Sequence, residues 1–186
     1  MSTEEILMDV EERMEKALSV LKHALSGIRT GRANPGLVDS LKVDVYGSLT
    51  PMKSLASVGA PEPQQIVIRP YDPSTIKDIE KSIIASGLGF APQSDGRVIR
   101  INVPPLTTDT RKKLVSRIKE LTEEAKVSIR NVRRDGNKAA EQEEKDKILT
   151  EDALDKLKEE IQELTKKYET TAAEMAKSRE AEVMGD

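Results

Sequence analysis

Cysteine is absent from the chain, which excludes disulfides, thiolate metal sites and a cysteine nucleophile and suits a reducing compartment. Aromatic rings are nearly absent as well: Tyr46, Tyr71, Phe90 and Tyr168 are the whole set. With so few stacking platforms, reading of a single nucleic-acid strand by base stacking is not expected. His23, the only histidine, falls beside the apolar seam of the first predicted helix, so no two-histidine metal site is available and a structural or surface role is expected. No run approaches the roughly 18 apolar residues of a membrane-spanning helix. Met1 to Asp9 is short of basic residues and mixed in polarity, so neither a signal nor a transit peptide is expected. Nucleotide-binding loops are missing too: Gly87-Leu88-Gly89 follows a predicted helix instead of a strand and lacks the third glycine and the lysine. Carboxylates are abundant but scattered over helix surfaces. The expectation is a cytoplasmic protein with no membrane partner, no cofactor, no metal and no catalytic site.

What is present is charge on an aliphatic framework. A 34% charged and 37% hydrophobic composition with 2% aromatics fits long solvated helices with a buried aliphatic seam. From Glu4 to about Arg29, residues Leu7, Val10, Met14, Ala17, Leu21, Ala24 and Ile28 recur at alternating three- and four-residue spacing, and Ile6, Leu18 and Leu25 widen the stripe. A second helix is predicted after Pro104-Pro105, capped by Thr107 or Thr108 and running to about Lys147, with Leu114, Ile118, Leu121, Ala125, Ile129 and Val132 in its seam. Thr150, with Glu151 and Asp152 behind it, opens a third, whose seam runs from Leu154 through Leu157, Ile161, Leu164, Tyr168 and Ala172 to Met175. None of these stripes can be buried alone, so the first helix is expected to pack on the last two.

Between them the grammar changes. Leu41, Val43 and Val45 alternate with polar residues, and β-rich runs recur at Gln65 to Arg69 and Arg97 to Val103, with turn residues between. Asp72-Pro73 caps a helix running to Ser86, which Gly87 ends. The fold class predicted is α+β: an elongated three-helix bundle (1–30 and 105–186) with an inserted small β/α/β sandwich domain (31–104). Thr30, Gly31 and Arg32 on one strand of chain and Pro104 and Pro105 on the other are adjacent short connections, expected to act as a hinge joining the two domains. Gly136, just past an arginine cluster, is expected to kink or fray the second long helix, the alternative being that it allows close approach to a backbone.

The net charge of -3 hides a segregation. Residues 111–138 hold ten basic side chains against four acidic ones, whereas residues 139–186 hold fifteen acidic against eight basic. Arg130, Arg133 and Arg134 stand at i, i+3 and i+4, with Lys126 one turn earlier, so one side of a helix carries a row of cations. Guanidinium groups clamp phosphates bidentately, and a rigid helix aligns several along a nucleic-acid backbone. A solvated face paired with the acidic last helix, or a helical adaptor that binds an acidic protein partner, would use the same charges. Composition leaves all three open.

Ile28-Arg29-Thr30-Gly31-Arg32-Ala33-Asn34-Pro35, Leu55-Ala56-Ser57-Val58, Pro104-Pro105-Leu106-Thr107 and Arg130-Asn131-Val132-Arg133-Arg134-Asp135 are collinear and span nearly the whole chain. Together they resemble the bacterial ribosome recycling factor family. The resemblance implies a three-helix bundle with a hinged β/α/β domain, monomeric in solution, that binds the large (50S) ribosomal subunit and its 23S rRNA after termination. It implies partnership with GTP-bound elongation factor G through the inserted domain, splitting of the subunits, release of messenger and transfer RNA, and no hydrolysis by the factor itself. By motif position, Arg133 matches the family arginine that contacts ribosomal RNA, and Arg29, Arg111 and Arg130 match further basic positions on that face. Arg134 and Lys126 extend the row. Two departures stand out: Gly136 replaces the family's usual alanine, and the tail ends Met184-Gly185-Asp186.

Overall fold

Helices form where apolar residues recur at three and four, and strands where they alternate. The computed structural model describes residues 1–185. Along the chain come α1 (Thr3–Ser26), the hairpin β1 (Lys42–Val45) and β2 (Ser48–Pro51), a single-turn α2 (Met52–Leu55), β3 (Ala56–Glu62) and β4 (Gln65–Pro70). Then follow α3 (Ile76–Ala85), β5 (Pro92–Ser94), β6 (Ile99–Asn102), α4 (Thr108–Lys145) and α5 (Glu151–Met184). Asp186, the last residue of the tail noted above, lies outside the described residues.

Packing groups these elements into two compact units, Met1–Leu25 with Val115–Glu182, and Ser26–Leu114 with the chain from Val183 onward. Turn residues and prolines mark the predicted boundaries at 30/31 and 104/105, but packing assigns Ser26–Thr30 and Pro105–Leu114 to the second unit. Buried Ile28 and Leu106 lie in those stretches.

The first unit is a three-helix bundle. Ser2 and Glu5 form a capping box at the start of α1: Ser2 Oγ accepts from the Glu5 amide at 3.1 Å and the Ser2 amide donates to Glu5 Oε2 at 2.7 Å. Thr150 caps α5 by accepting from the Ala153 amide at 3.2 Å. The core joins Ile6, Val10 and Met14 of α1 to Ile129, Val132 and Ala140 of α4 and Leu157, Ile161 and Tyr168 of α5. Each fully buried aliphatic side chain contributes on the order of 1.5–3 kcal/mol. The α1 stripe is rotated slightly from the predicted seam: Ile6 and Leu25 are buried, and Leu7 and Ala24 only half-buried. Thr122 and Thr165 are buried because each hydroxyl donates to the carbonyl four residues back, at 2.7 and 2.8 Å.

Gly136 overturns one expectation. It does not break or fray α4, which runs unbroken from Thr108 to Lys145 with Gly136 buried in the seam. The reason is close helix packing: a Cβ there would lie 2.6 Å from Val10 Cγ2 and 3.3 Å from Ile161 Cδ1. Burial against α1 and α5 outweighs the propensity cost of about 1 kcal/mol.

In the second unit, Tyr46 and Gly47 both have positive φ (52° and 78°), as a two-residue type I′ hairpin turn requires, and join β1 to β2 in register. The other sheet is antiparallel with order β3-β4-β6-β5. Asp72 accepts from the Ser74 amide at 3.0 Å and starts the turn into α3, which places Ile76, Ile79 and Ile83 against Val43 and Val45 of β1, Ile66 and Ile68 of β4 and Ile99 and Ile101 of β6. Three or more strands were expected, and six form. The strand β3 escapes a propensity argument because Gly59, Ala60 and Pro61 lie in it; it is an edge strand with a register shift between Gly59 and Glu62, where proline is tolerated.

Candidate polyanion-binding site

The buried seam of α4 fixes which of its side chains can face outward. Ile118, Thr122, Ala125, Ile129, Val132, Gly136 and Ala140 point inward. One step round the helix, Lys126, Arg130 and Arg133 repeat at four and three residues and are each half-buried. These three therefore share one flank, and the structure does bring them together. Arg134 lies further round, is exposed, and reaches Asn131 Oδ1 at 3.5 Å from its Nη1.

Their electrostatic states differ. Arg130 is engaged twice: its Nε donates to Oε1 of Glu169 on α5 at 2.8 Å, and its Nη1 to Oε1 of Glu123 at 3.0 Å. Glu123 first and Glu169 second hold its pKa above the ordinary arginine value. Arg133 and Lys126 form no ion pair among the described residues. Asp135, the carboxylate next in sequence to the cluster, is turned to the other flank of α4, where Arg13 of α1 donates to it at 2.8 Å. That contact raises the Arg13 pKa and leaves the Arg133 charge uncompensated. Sequence inspection offered pairing of this face with the acidic last helix as one reading, which the Arg130–Glu169 contact fits, but named neither partner of Arg130. Glu123 stands two turns before it and was recoverable from heptad spacing; Glu169 comes from another helix and carried no local signal.

Arg29 and Arg111 belong by packing to the second unit. The Arg29 guanidinium lies over the Phe90 ring, 5.5 Å from its centroid, and its Nη2 donates to the Pro104 carbonyl at 3.4 Å. Gly31, at φ +78°, packs where a Cβ would meet Leu106 at 3.5 Å, so the Thr30-Gly31-Arg32 and Pro104-Pro105 segments run side by side within this unit. Arg111 is half-buried near the chain end, with Gly185 approaching its Nη2. The Nε–H groups of Arg29 and Arg111 are buried and donate to no partner among the described residues. His23 is exposed on α1.

Among the described residues no cluster of three or more His, Asp or Glu could hold a metal ion, and no helix is long and apolar enough to cross a membrane. A groove of about 470 Å³ between the β1–β2 hairpin and α3 contains Asp44, Asp78, Lys81 and Ser82, and the Ser82 hydroxyl is bound to the Lys42 carbonyl at 2.8 Å.

Fold and flank together describe a helical bundle joined to a β-sheet unit, with a row of cations along one helix. The family model for the ribosome recycling factor matches residues 21–184. The ribosome-recycling factor of Rhodopirellula baltica is 76% identical over 140 residues, 75% of each chain, and that of Nitratidesulfovibrio vulgaris is 47% identical over 184 residues, 99% of each. A solution structure of the ribosome recycling factor superposes with a TM-score of 0.81 at 37% identity, covering 100% of this chain and 99% of the other. Models for the T. thermophilus ribosome recycling factor and the E. coli elongation factor G bound to the E. coli post-termination complex match with a TM-score of 0.71 at 39% identity, covering 100% of both chains. The chain belongs to the ribosome recycling factor family. Both the resemblance noted from its motifs and the bundle-plus-β-sheet fold are borne out.

Proposed function

We propose that this protein recycles ribosomes by docking the Lys126–Arg130–Arg133 flank of α4 on 23S rRNA of the large (50S) subunit. With GTP-bound elongation factor G it then splits the post-termination complex and releases messenger and transfer RNA. The carrying observation is the state of Arg133: it is half-buried beside the seam of α4, and its guanidinium forms no ion pair among the described residues. A preorganised, uncompensated guanidinium is what bidentate phosphate capture requires. The solved relative placed with elongation factor G on a post-termination complex supports the choice of partners.

In this reading residues 1–30 and 105–186 act as the RNA-facing bundle and residues 31–104 as the inserted domain that meets elongation factor G. Thr30, Gly31, Arg32, Pro104 and Pro105 form the hinge, Arg29 and Arg111 supplement the rRNA contacts, and Arg134 extends the row. The factor works as a cytoplasmic monomer and hydrolyses nothing itself. Co-sedimentation with large subunits across a salt series tests the reading. Arg133→Ala is expected to bind more weakly, with the slope of log K against log salt reduced by roughly 0.7–0.9 for one lost phosphate contact. Equal binding by parent and variant at every salt would refute rRNA docking through this flank; no pelleting by either would point to a different, protein partner.

A further inference from the structure

Arg130 carries two carboxylates before any ligand arrives. Glu169 takes its Nε–H at 2.8 Å and Glu123 takes an N–H of Nη1 at 3.0 Å. A guanidinium grips a phosphate through two parallel N–H bonds, either Nε with Nη2 or Nη1 with Nη2. The Nε–Nη2 edge thus already has one donor committed, and one of the two N–H groups of Nη1 is taken as well. Counted as charges, the Glu123–Arg130–Glu169 triad is net negative, so it opposes the polyanion that Arg133 and Lys126 attract. Both carboxylates stay in contact with water, Glu123 at 60% and Glu169 at 29% side-chain exposure. Ion pairs of that exposure are weak and exchange readily.

We infer that Glu123 and Glu169 determine binding at this flank by standing in for phosphates on Arg130 in the free protein and being displaced when the polyanion docks, an inference that rests on the rRNA-facing reading above. Arg133 makes the first contact. Arg130 lies three residues away, about one turn of helix, and becomes available only when a second phosphate reaches it and replaces a carboxylate. A lone anion held at Arg133 has nothing with which to release Arg130. The triad therefore selects closely spaced phosphates, as along an RNA strand, over isolated ones.

The test uses the full chain and purified large ribosomal subunits. Binding is measured for the parent, Glu123→Gln/Glu169→Gln, Arg130→Ala, the triple variant combining all three substitutions, and Arg133→Ala. Glutamine keeps size and shape while removing the competing charge. The double glutamine variant is expected to bind several-fold more tightly than the parent, and Arg130→Ala is expected to abolish most of that gain in the triple variant. Three results would overturn the inference: no gain, weaker binding, or a gain that persists without Arg130 and so reflects general charge alone. Circular dichroism melts check folding, and if the double variant loosens α5 the single glutamine variants carry the same comparison. Arg133→Ala separates the two failures: if it binds as the parent does, the rRNA-facing reading itself falls, whereas if it binds weakly while the glutamine variants show no gain, only the exchange falls.

Discussion

Val10 of α1 sits so close to Gly136 of α4 that a Cβ on the glycine would lie 2.6 Å from Val10 Cγ2, well inside van der Waals contact. Val10 is fully buried and, being β-branched, has no flexible end to move aside. Gly136→Ala is therefore expected to lower stability by about 1–3 kcal/mol through overpacking, although alanine favours the helix by about 1 kcal/mol. Val10→Ala opens the missing space, so the two substitutions should couple by roughly 0.5–3 kcal/mol in a double-mutant cycle of urea unfolding. An alanine variant as stable as the parent would show that the helices separate at no cost. An alanine at this position does not fit this α1–α4 pairing unless Val10 gives way.

That contact also shows where sequence reasoning stops. The spacing of Val10, Met14, Ile129, Ile161 and Tyr168 announces three packed helices, but spacing on one helix does not say how near its neighbour comes, and only that distance explains the glycine. The same limit applies to the site. The row Lys126, Arg130 and Arg133 follows from helical arithmetic, as does the choice of α4 as its carrier. The engagement of Arg130 depends on the rotation of α5, which the burial of Leu157, Ile161 and Tyr168 sets and no stretch of local sequence records. In the second unit, β4 declares itself by the continuous run Ile66-Val67-Ile68 and β6 by Ile99 and Ile101 alternating with polar residues. Strand β3 exists because β4 offers it a partner edge, a tertiary cause that overrides its glycine and proline.

Arg29 has a structural task that a purely RNA-facing role does not require. Its guanidinium covers Phe90 and bonds to the Pro104 carbonyl. Arg29→Ala and Phe90→Leu should each destabilise the chain, and the pair should show a coupling of about 0.5–1 kcal/mol, the size of a partly exposed cation–π contact. Additive effects in chemical denaturation would mean that the stacking contributes nothing. Arg29→Lys should keep part of the coupling, since the cation remains while the planar face is lost.

Tyr168 makes stability depend on alkaline pH. Burial first, then the negative charge of Glu15 and Glu11, pushes its phenol up to about 12, and its hydroxyl lies 3.3 Å from Glu15 Oε1. The unfolded phenol titrates near 10. Because the folded value is the higher one, the folded state holds the proton more tightly. The resulting stabilisation is complete below about pH 10 and is lost as pH rises to about 12, by on the order of 2 kcal/mol. Lysines also titrate there, so the comparison is with Tyr168→Phe. The parent should lose stability relative to the phenylalanine variant between those pH values and not below them. Parallel curves for the two proteins would rule this linkage out.

Arg133→Lys separates charge from geometry at the candidate site. Lysine preserves the positive charge that displaces counterions, so the salt dependence of large-subunit binding should stay close to that of the parent. It lacks the planar fork, and one strong charge-assisted hydrogen bond of about 1.5 kcal/mol corresponds to roughly a tenfold loss of affinity at every salt concentration. Arg133→Ala should lose both, weakening binding and flattening the salt dependence. Neither substitution should shift unfolding by more than about 0.5 kcal/mol, because Arg133 has no ion pair among the described residues to break. Binding by the lysine variant equal to the parent's would mean that Arg133 acts as a point charge only. A lysine variant as flat in salt as the alanine one would mean that its ammonium never reaches a phosphate, and that the guanidinium works through its length and shape as much as its charge.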